Sequence, residues 1–132
     1  MKQPHWIDVR DVRTLHEKLI ATHGGAAGIR DEGLLASALA RPRQQFAYAD
    51  PADLIAMAAA YTCGIVRNHP FIDGNRRVGF VIGILFLEIN GYRFGAPQEE
   101  AAQAVIALAE GSLDESAYAR FLQQNLAPLA QS

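Results

Sequence analysis

A run of nine residues, His69-Pro70-Phe71-Ile72-Asp73-Gly74-Asn75-Arg76-Arg77, combines a side chain that can move a proton with side chains that can hold a phosphate. Histidine accepts a proton near neutral pH, carboxylates bind metal ions, and guanidinium groups bind phosphates. An apolar segment from Val78 to Leu87 follows at once. A polar loop that leads into a buried helix presents free backbone N–H groups and the positive end of the helix dipole to an anion. The run therefore predicts a phosphate site that contains a general base.

His69 and Asp73 are the two residues of this run to which we assign chemistry. His69 precedes a proline, which favours an extended backbone and places the imidazole in the loop, facing the start of the helix. It is a candidate general base, and the alternative is a loop histidine that is hydrogen-bonded for structure. Asp73 suits Mg²⁺, which takes one or two protein oxygens and leaves its other positions to phosphate and water. The alternative for Asp73 is the N-cap of the following helix, and one carboxylate can serve both roles.

The other residues of the run are predicted to bind phosphate or to hold the loop. Gly74 permits a tight turn and a close approach to an anion. Asn75 can cap the helix and orient a phosphate, and Arg77 offers a planar pair of donors to phosphate oxygens. Phe71 is predicted to anchor the loop in the core. Arg67, just before the run, either contacts phosphate or is an ordinary surface charge.

Helices must position this loop, because apolar residues recur with helical spacing along the chain. Asp8 can cap a first helix that ends at Gly24-Gly25. Asp31 can cap a second helix, which we expect to end before Pro42. The pair Asp50-Pro51 is typical of an N-cap followed by the first residue of a third helix.

Three further helices are predicted after the motif. The fourth begins near Asn75 and ends at Gly91, and it is apolar on nearly every side, which indicates a helix buried at the centre of a bundle. The fifth begins at Pro97 and ends at Gly111. Residues Ser112-Leu113-Asp114-Glu115 fit a capping box for the sixth. We predict an all-α fold, a single compact bundle of about six helices with a buried central helix.

The composition limits the classes of protein to which the chain can belong. Its 132 residues, half of them apolar, suffice for one domain, residues 1–132, with one sizeable core. The net charge of -2 and the pI near 6.0 argue against a binder of nucleic acid or of a membrane surface. The longest apolar run, Val78 to Leu87, is too short to span a bilayer, and the N-terminus lacks the apolar core of a signal peptide. Cys63, the single cysteine, is interpreted as a small buried apolar residue. We therefore expect a cytoplasmic protein.

One short extended segment is predicted outside the helices, at Tyr92-Arg93-Phe94.

The nine-residue run resembles the signature of the Fic/Doc superfamily, His-x-Phe-x-(Asp/Glu)-(Gly/Ala)-Asn-x-Arg. Six positions match it in register: His69, Phe71, Asp73, Gly74, Asn75 and Arg77. The Gly-rich segment from Gly24 to Leu35 is similar to one in death-on-curing (Doc) toxins, and the stretch from Phe86 to Tyr92 is similar to the end of their central helix. The resemblance covers about residues 7–127, which is nearly the whole chain.

The resemblance implies a reaction and a set of roles. In the family, the matching histidine deprotonates a hydroxyl of a target protein so that its oxygen can attack a phosphate. This implies His69 as the catalytic base and Asp73 as the metal residue, with Mg²⁺ and ATP, or another nucleoside triphosphate, as cofactor and co-substrate. It also implies a set of phosphate- and nucleotide-binding residues: Gly74, Asn75, Arg76 and Arg77.

Arg76 is the position at which the chain departs from the family pattern. AMP-transferring Fic proteins typically carry glycine here, and a second arginine three residues after that of the motif, where this chain has Phe80. Doc toxins carry lysine at the position of Arg76, lack the second arginine, and pass the terminal phosphate to a hydroxyl of elongation factor Tu. The resemblance therefore favours a Doc-like phosphotransferase. Transfer of AMP to a protein hydroxyl and a catalytically silent binding module are the alternatives.

The resemblance also implies protein partners. Many Fic proteins carry an inhibitory motif, Ser/Thr-x-x-x-Glu-(Gly/Asn). In the nearest segment, Ile106 to Gly111, isoleucine replaces the hydroxyl residue, so we expect the inhibitor to be a separate antitoxin whose disordered tail folds onto the toxin. The segment from Arg41 to Tyr48 is predicted to be irregular. It is either an ordinary loop or a flap that docks the backbone of the target protein by strand pairing.

Overall fold

The structure is a computed structural model that describes residues 3–48 and 53–129. These residues form six helices and two short strands: α1 (Val9–His23), α2 (Glu32–Tyr48), α3 (Leu54–Asn68), α4 (Asn75–Ile89), β1 (Tyr92–Phe94), α5 (Gln98–Glu110), α6 (Glu115–Gln124) and β2 (Leu126–Pro128). The prediction of an all-α bundle of about six helices is confirmed. The motif loop lies between α3 and α4, and its position depends on how these two helices are held.

The centre of the bundle is α3, in which every residue from Met57 to Val66 is buried. It packs between α2 and α4 and also contacts α6. The predicted central helix, α4, buries one face, which includes Ile82 and Phe86, and its other faces are partly covered. The two helices approach closely at Gly83, because a Cβ at this position would collide with the hydroxyl of Thr62. The absence of a side chain there lets α4 lie directly against α3. This close packing holds the end of α3 and the start of α4, which the motif loop connects.

Aspartate side chains begin several of the helices, as N-cap residues that accept backbone N–H groups of the first turn. The cap of α1 is Asp8, as predicted, and it forms a reciprocal capping box. The predicted Asp50-Pro51 start of α3 lies outside the described residues, and the cap seen in the structure is Asp53. Asp114 caps α6 by accepting an N–H three residues later at 2.7 Å. The prediction that Ser112 caps this helix is therefore wrong, because the carboxylate of Asp114 lies where the first N–H groups can reach it.

The second helix is longer than the sequence indicates. It continues through Pro42 and includes the whole stretch Arg41–Tyr48, so the predictions of a helix end before the proline and of an irregular segment after it are wrong. A proline inside a helix removes one intrahelical hydrogen bond, and its ring clashes with the carbonyl four residues earlier, which together cost about 3 kcal/mol or more. Tertiary contacts hold this half of the helix, because Arg41 donates to the carbonyl of Ala60 at 3.2 Å and forms an ion pair with Glu115 at 2.7 Å.

The two strands form a small sheet beside α4, in which β1 contacts α4 and β2 pairs with β1. β1 and β2 are antiparallel, with Tyr92 opposite Pro128 and Phe94 opposite Leu126. The predicted extended segment at residues 92–94 is therefore confirmed. The pairing directs the aromatic ring of Phe94 towards Phe80 of α4, at 5.9 Å between ring centroids. Within the described ranges, no helix is both long enough and apolar enough to cross a membrane.

Candidate active site

The motif loop starts with an unusual backbone conformation at His69. This residue is the C-cap of α3, with φ 50 and ψ 55, and its N–H donates to the carbonyl of Ile65 at 3.1 Å. The extended backbone expected from the following proline is therefore wrong, and the left-handed conformation ends the helix instead. Histidine tolerates this region better than most residues, yet the conformation still costs about 1–3 kcal/mol. The turn leaves His69 exposed at the mouth of a cleft.

Asn75 and Phe71 close the loop that follows. Oδ1 of Asn75 accepts the N–H of Phe71 at 3.0 Å, and Nδ2 donates to the carbonyl of Phe71 at 3.0 Å. Asn75 is buried, so its amide is committed to the loop and does not cap α4 as predicted. The same Nδ2 lies 3.5 Å from Nδ1 of His69, at the limit of a hydrogen bond. Asn75 thus links the loop, the histidine and the first turn of α4.

Phe71 lies in the core, where we predicted that it would anchor the loop; it is 1% exposed. Its ring stacks on the imidazole of His16, with ring centroids 3.9 Å apart and an interplanar angle of 10°. His16 is also buried, and its Nε2 lies 2.7 Å from the carbonyl oxygen of Asp73, at hydrogen-bonding distance. His16 is thus a support of the motif loop that was not predicted from the sequence. The signal was present, because His16 lies one turn after Val12 on the apolar face of α1.

The carboxylate of Asp73 is exposed and held by backbone N–H groups. Oδ1 accepts the N–H of Gly74 at 2.9 Å, and Oδ2 accepts that of Ala26 at 3.2 Å. The Gly-rich segment comes so close that a Cβ on Gly25 would lie 2.7 Å from Oδ2. Asp73 is therefore not a typical N-cap of α4, whose N-cap is Gly74.

The surroundings of Asp73 fit a metal site with few protein ligands. Across the parts of the chain that the structure describes, no three His, Cys, Asp or Glu side chains come together as a ligand set. A single exposed carboxylate fits Mg²⁺ that takes most of its oxygens from phosphates and water. Each oxygen of Asp73 accepts one N–H and retains a lone pair for such an ion.

The first turn of α4 is arranged as an anion site. Its N-cap, Gly74, has φ 77 and supplies no side-chain acceptor, so the N–H groups of the first turn remain available. Arg76 and Arg77 both lie in this turn and are exposed. Neither forms an ion pair with an acidic side chain of the described residues. Two cations at a helix N-terminus are unfavourable for the dipole, so this arrangement favours a bound anion.

An open cleft of about 1000 Å³ connects these groups. Seven motif residues line the cleft: His69, Ile72, Asp73, Gly74, Asn75, Arg76 and Arg77. The rest of the lining is mostly apolar and comes from Phe80, Phe94 and α5, which includes Val105 and Ile106. Arg67 is exposed and does not line the cleft, so its role as a surface charge is favoured over phosphate contact. The arrangement can hold a phosphorylated ligand with an apolar part beside a histidine.

The Gly-rich segment between α1 and α2 supports the motif loop from behind. Gly28 accepts the N–H of Ile72 at 3.1 Å, and Ile29 forms an antiparallel β-bridge with Phe71. The segment between α1 and α2 therefore contacts the motif loop through backbone hydrogen bonds as well as connecting the two helices. Arg30 follows and donates its side chain to carbonyls at the end of α3, a contact that sequence reasoning missed. No local pattern could reveal it, because the partners lie 38 and 39 positions away along the chain.

Comparison with known proteins agrees with this geometry. A family profile described as the Fic/DOC family matches residues 6–87. The chain is 30% identical over 119 residues to "Protein kinase doc" of Escherichia phage P1, and the alignment covers 89% of this chain and 93% of that protein. It is 36% identical over 92 residues to "Toxin Doc" of Mycolicibacterium smegmatis, with 69% of this chain and 68% of that toxin covered. The family match covers all of α3, the motif loop and α4 as far as residue 87, and the similarity to the phage protein extends over most of the chain, which shows that the chain belongs to the Fic/DOC family.

Proposed function

We propose that this chain is a Doc-like toxin acting in the cytoplasm as a phosphotransferase, which moves the terminal phosphate of ATP to a hydroxyl of a target protein. The names of the two relatives, a protein kinase and a toxin, support this class. The observation that carries the proposal is that His69, Arg76 and Arg77 all line the same cleft. Translation elongation factor Tu is the candidate target.

The binding step uses the first turn of α4. The triphosphate lies against its free N–H groups and accepts donors from Arg76 and Arg77, which have no acidic partner among the described residues. Mg²⁺ bound by Asp73 and phosphate oxygens would neutralise charge on the transferring group. The nucleoside lies against the apolar wall formed by Phe80, Phe94 and α5.

The transfer step follows in-line displacement. The oxygen of the target hydroxyl attacks the terminal phosphorus, and the hydroxyl proton passes to the imidazole of His69. The new bond joins that oxygen to phosphorus, the bond between phosphorus and the bridging oxygen breaks, and ADP leaves with the bonding electrons. Arg76 and Arg77 stabilise the charge that spreads over the phosphoryl oxygens in the transition state.

Phe80 favours terminal-phosphate transfer over AMP transfer. It occupies the position of the second arginine of AMP-transferring Fic proteins, and its ring lies in the cleft wall against Phe94 at 5.9 Å. A guanidinium is therefore missing from the place where those proteins have one, and a cation, Arg76, stands where they have glycine. Both differences agree with a Doc-like reaction.

The test is incubation of the purified chain with elongation factor Tu, Mg²⁺ and ATP labelled on either the α- or the γ-phosphate. We expect label on the target from γ-labelled ATP alone, with a mass increase of one phosphate. Label from α-labelled ATP would replace the proposal with AMP transfer. A cell lysate in place of the pure factor tests whether another protein is the target.

A separate antitoxin is part of the same proposal. The segment that would correspond to an inhibitory motif has Ile106 in place of the hydroxyl residue, although Glu110 does line the cleft. We therefore expect the isolated chain to be active and toxic when expressed alone. The test is the growth of cells that express the chain without an antitoxin. Unimpaired growth of cells that make the folded protein would contradict the expected toxicity.

A further inference from the structure

Three successive backbone carbonyls at the end of α3 accept hydrogen bonds from one residue, Arg30. Its Nε donates to the carbonyl of His69 at 2.7 Å, and its Nη2 donates to that of Asn68 at 2.9 Å. Its backbone N–H donates to the carbonyl of Pro70 at 2.7 Å. Carbonyls at a helix C-terminus lack intrahelical partners, and a guanidinium satisfies them while complementing the negative end of the dipole.

The two side-chain bonds bracket the Cα atom of His69. The carbonyl of Asn68 belongs to the peptide plane before this atom, and the carbonyl of His69 belongs to the plane after it. The torsion φ of His69 rotates the first plane relative to the Cα atom, and ψ rotates the second. A planar guanidinium that bonds both carbonyls therefore restrains both torsions together.

The restrained conformation is the left-handed one that His69 adopts, with φ 50 and ψ 55. A non-glycine residue persists in this region only where its surroundings hold it. Arg30 itself is fixed by its backbone, because its N–H and that of Asp31 both donate to the carbonyl of Pro70, at 2.7 and 3.0 Å. Arg30 is not among the residues that line the cleft.

We propose that Arg30 is a positioning residue, which holds His69 in its left-handed conformation and thereby directs the imidazole into the cleft. The inference rests on the proposed function of His69 as the base. It predicts that loss of the guanidinium lowers the rate of transfer and leaves nucleotide binding intact. A misplacement of a catalytic group by about 1 Å costs on the order of 10²-fold in rate.

The experiment compares Arg30→Ala, Arg30→Gln and Arg30→Lys with the wild type. For each, kcat for phosphate transfer, the affinity for ATP and the backbone and imidazole NMR signals of His69 are measured, with assignment by comparison with His69→Ala. Arg13→Ala is the matched control, because it removes an exposed arginine that links α1 to Glu32 of α2. We expect roughly 10²-fold lower kcat, ATP affinity within about twofold of wild type, and shifted His69 signals for Ala and Gln. Lysine should restore the rate only in part, because it presents a point charge and not a planar fork.

The outcomes separate this inference from the proposed function. Unshifted His69 signals in folded Arg30→Ala or Arg30→Gln would overturn the positioning role, whatever the wild-type activity. A wild type that transfers neither phosphate nor AMP would contradict the proposed function, while shifted His69 signals would still support the positioning of the loop. The positioning role of Arg30 would also be overturned if the transfer rate of the variants falls only in proportion to their folded fraction, as measured by circular dichroism. If Arg30→Ala does not fold, Arg30→Lys carries the same comparison.

Discussion

The side chain of Asn75 forms two hydrogen bonds with the backbone of Phe71, each 3.0 Å long, so that one amide satisfies both the donor and the acceptor of a single residue. Both residues are buried, and their hydrogen bonds hold the motif loop between α3 and α4 in a closed turn. Glutamine would be too long and aspartate could not donate. This relationship explains in physical terms why asparagine suits the position, independently of any contact with phosphate.

Asn75→Ala should therefore destabilise the protein as well as the site. It leaves a buried N–H and a buried carbonyl of Phe71 without partners, which costs about 1–3 kcal/mol for each such group. Urea denaturation followed by circular dichroism measures the effect. Asn125→Ala is the control, because it removes one amide-to-carbonyl bond, to Phe121 at 2.9 Å, far from the motif along the chain. Equal losses of unfolding free energy in the two variants would show that the two hydrogen bonds to Phe71 stabilise the protein no more than the single bond of Asn125.

His69→Ala should abolish transfer and toxicity while the protein still folds. The imidazole is exposed, so its loss removes little packing, whereas loss of a general base lowers the rate by about 10²–10⁴-fold. Transfer assays and growth curves should be paired with a thermal melt. His23→Ala, at the exposed end of α1, is the matched histidine control. A stable His69→Ala protein with full toxicity would remove His69 from the mechanism.

Asp73→Ala should weaken binding of ATP in the presence of Mg²⁺ and change it little without the metal. The carboxylate is exposed beside the anion site at the start of α4 and retains lone pairs for a metal ion. Calorimetric titration with ATP, with Mg²⁺ or with a chelator, gives the four affinities needed. Glu32→Ala serves as a control for the loss of an exposed acid elsewhere. If wild type and Asp73→Ala bind Mg²⁺ and ATP equally well, the metal role of Asp73 is wrong.

Arg76→Gly should lose phosphate transfer without gaining AMP transfer. The substitution removes a cation that lines the cleft, has no acidic partner among the described residues, and holds the terminal phosphate in the proposed function. AMP transfer should not appear, because Phe80 still occupies the place of the second arginine. Parallel labelling with α- and γ-labelled ATP measures both reactions, and Arg93→Ala, an exposed arginine of β1, is the control. Undiminished γ-label on the target would show that Arg76 is dispensable.

Cys63 should be unreactive towards thiol reagents in the folded protein. Burial raises the pKa of its thiol to about 11, and the nearby Glu115 carboxylate adds to this. Because this pKa lies above the ordinary 9.0, the folded state retains the proton where the unfolded state loses it. The contribution of the Cys63 thiol to the free energy of unfolding is thus complete below pH 9 and declines as the pH rises towards 11. Labelling by a disulfide reagent in buffer and in urea measures the accessibility of the thiol. Denaturation of wild type and Cys63→Ala at pH 8 and pH 10.5 measures how the free energy of unfolding depends on pH. Rapid labelling under native conditions would contradict the buried assignment.

Much of this protein could be predicted from local sequence patterns. Helical spacing of apolar residues, N-capping aspartates such as Asp8 and glycines such as Gly111 defined most of the helices. The spacing from His69 to Arg77 indicated a phosphate site at the start of a helix, and the structure places these residues along one cleft. Such features depend on neighbours within one or two turns, which is why they are visible in the chain alone.

Other features were decided only by the tertiary structure. The continuation of α2 through Pro42 depends on Arg41, whose partner Glu115 lies on another helix. The left-handed conformation of His69 opposes the preference of a residue before proline, and it persists where Arg30 bonds the carbonyls on both sides of its Cα atom. Local preferences amount to about 1–3 kcal/mol, so a few hydrogen bonds between distant segments are enough to reverse them. The chain alone therefore indicated which residues are candidates for the chemistry, and the packing of distant segments decided the backbone conformation in which the candidate histidine is held.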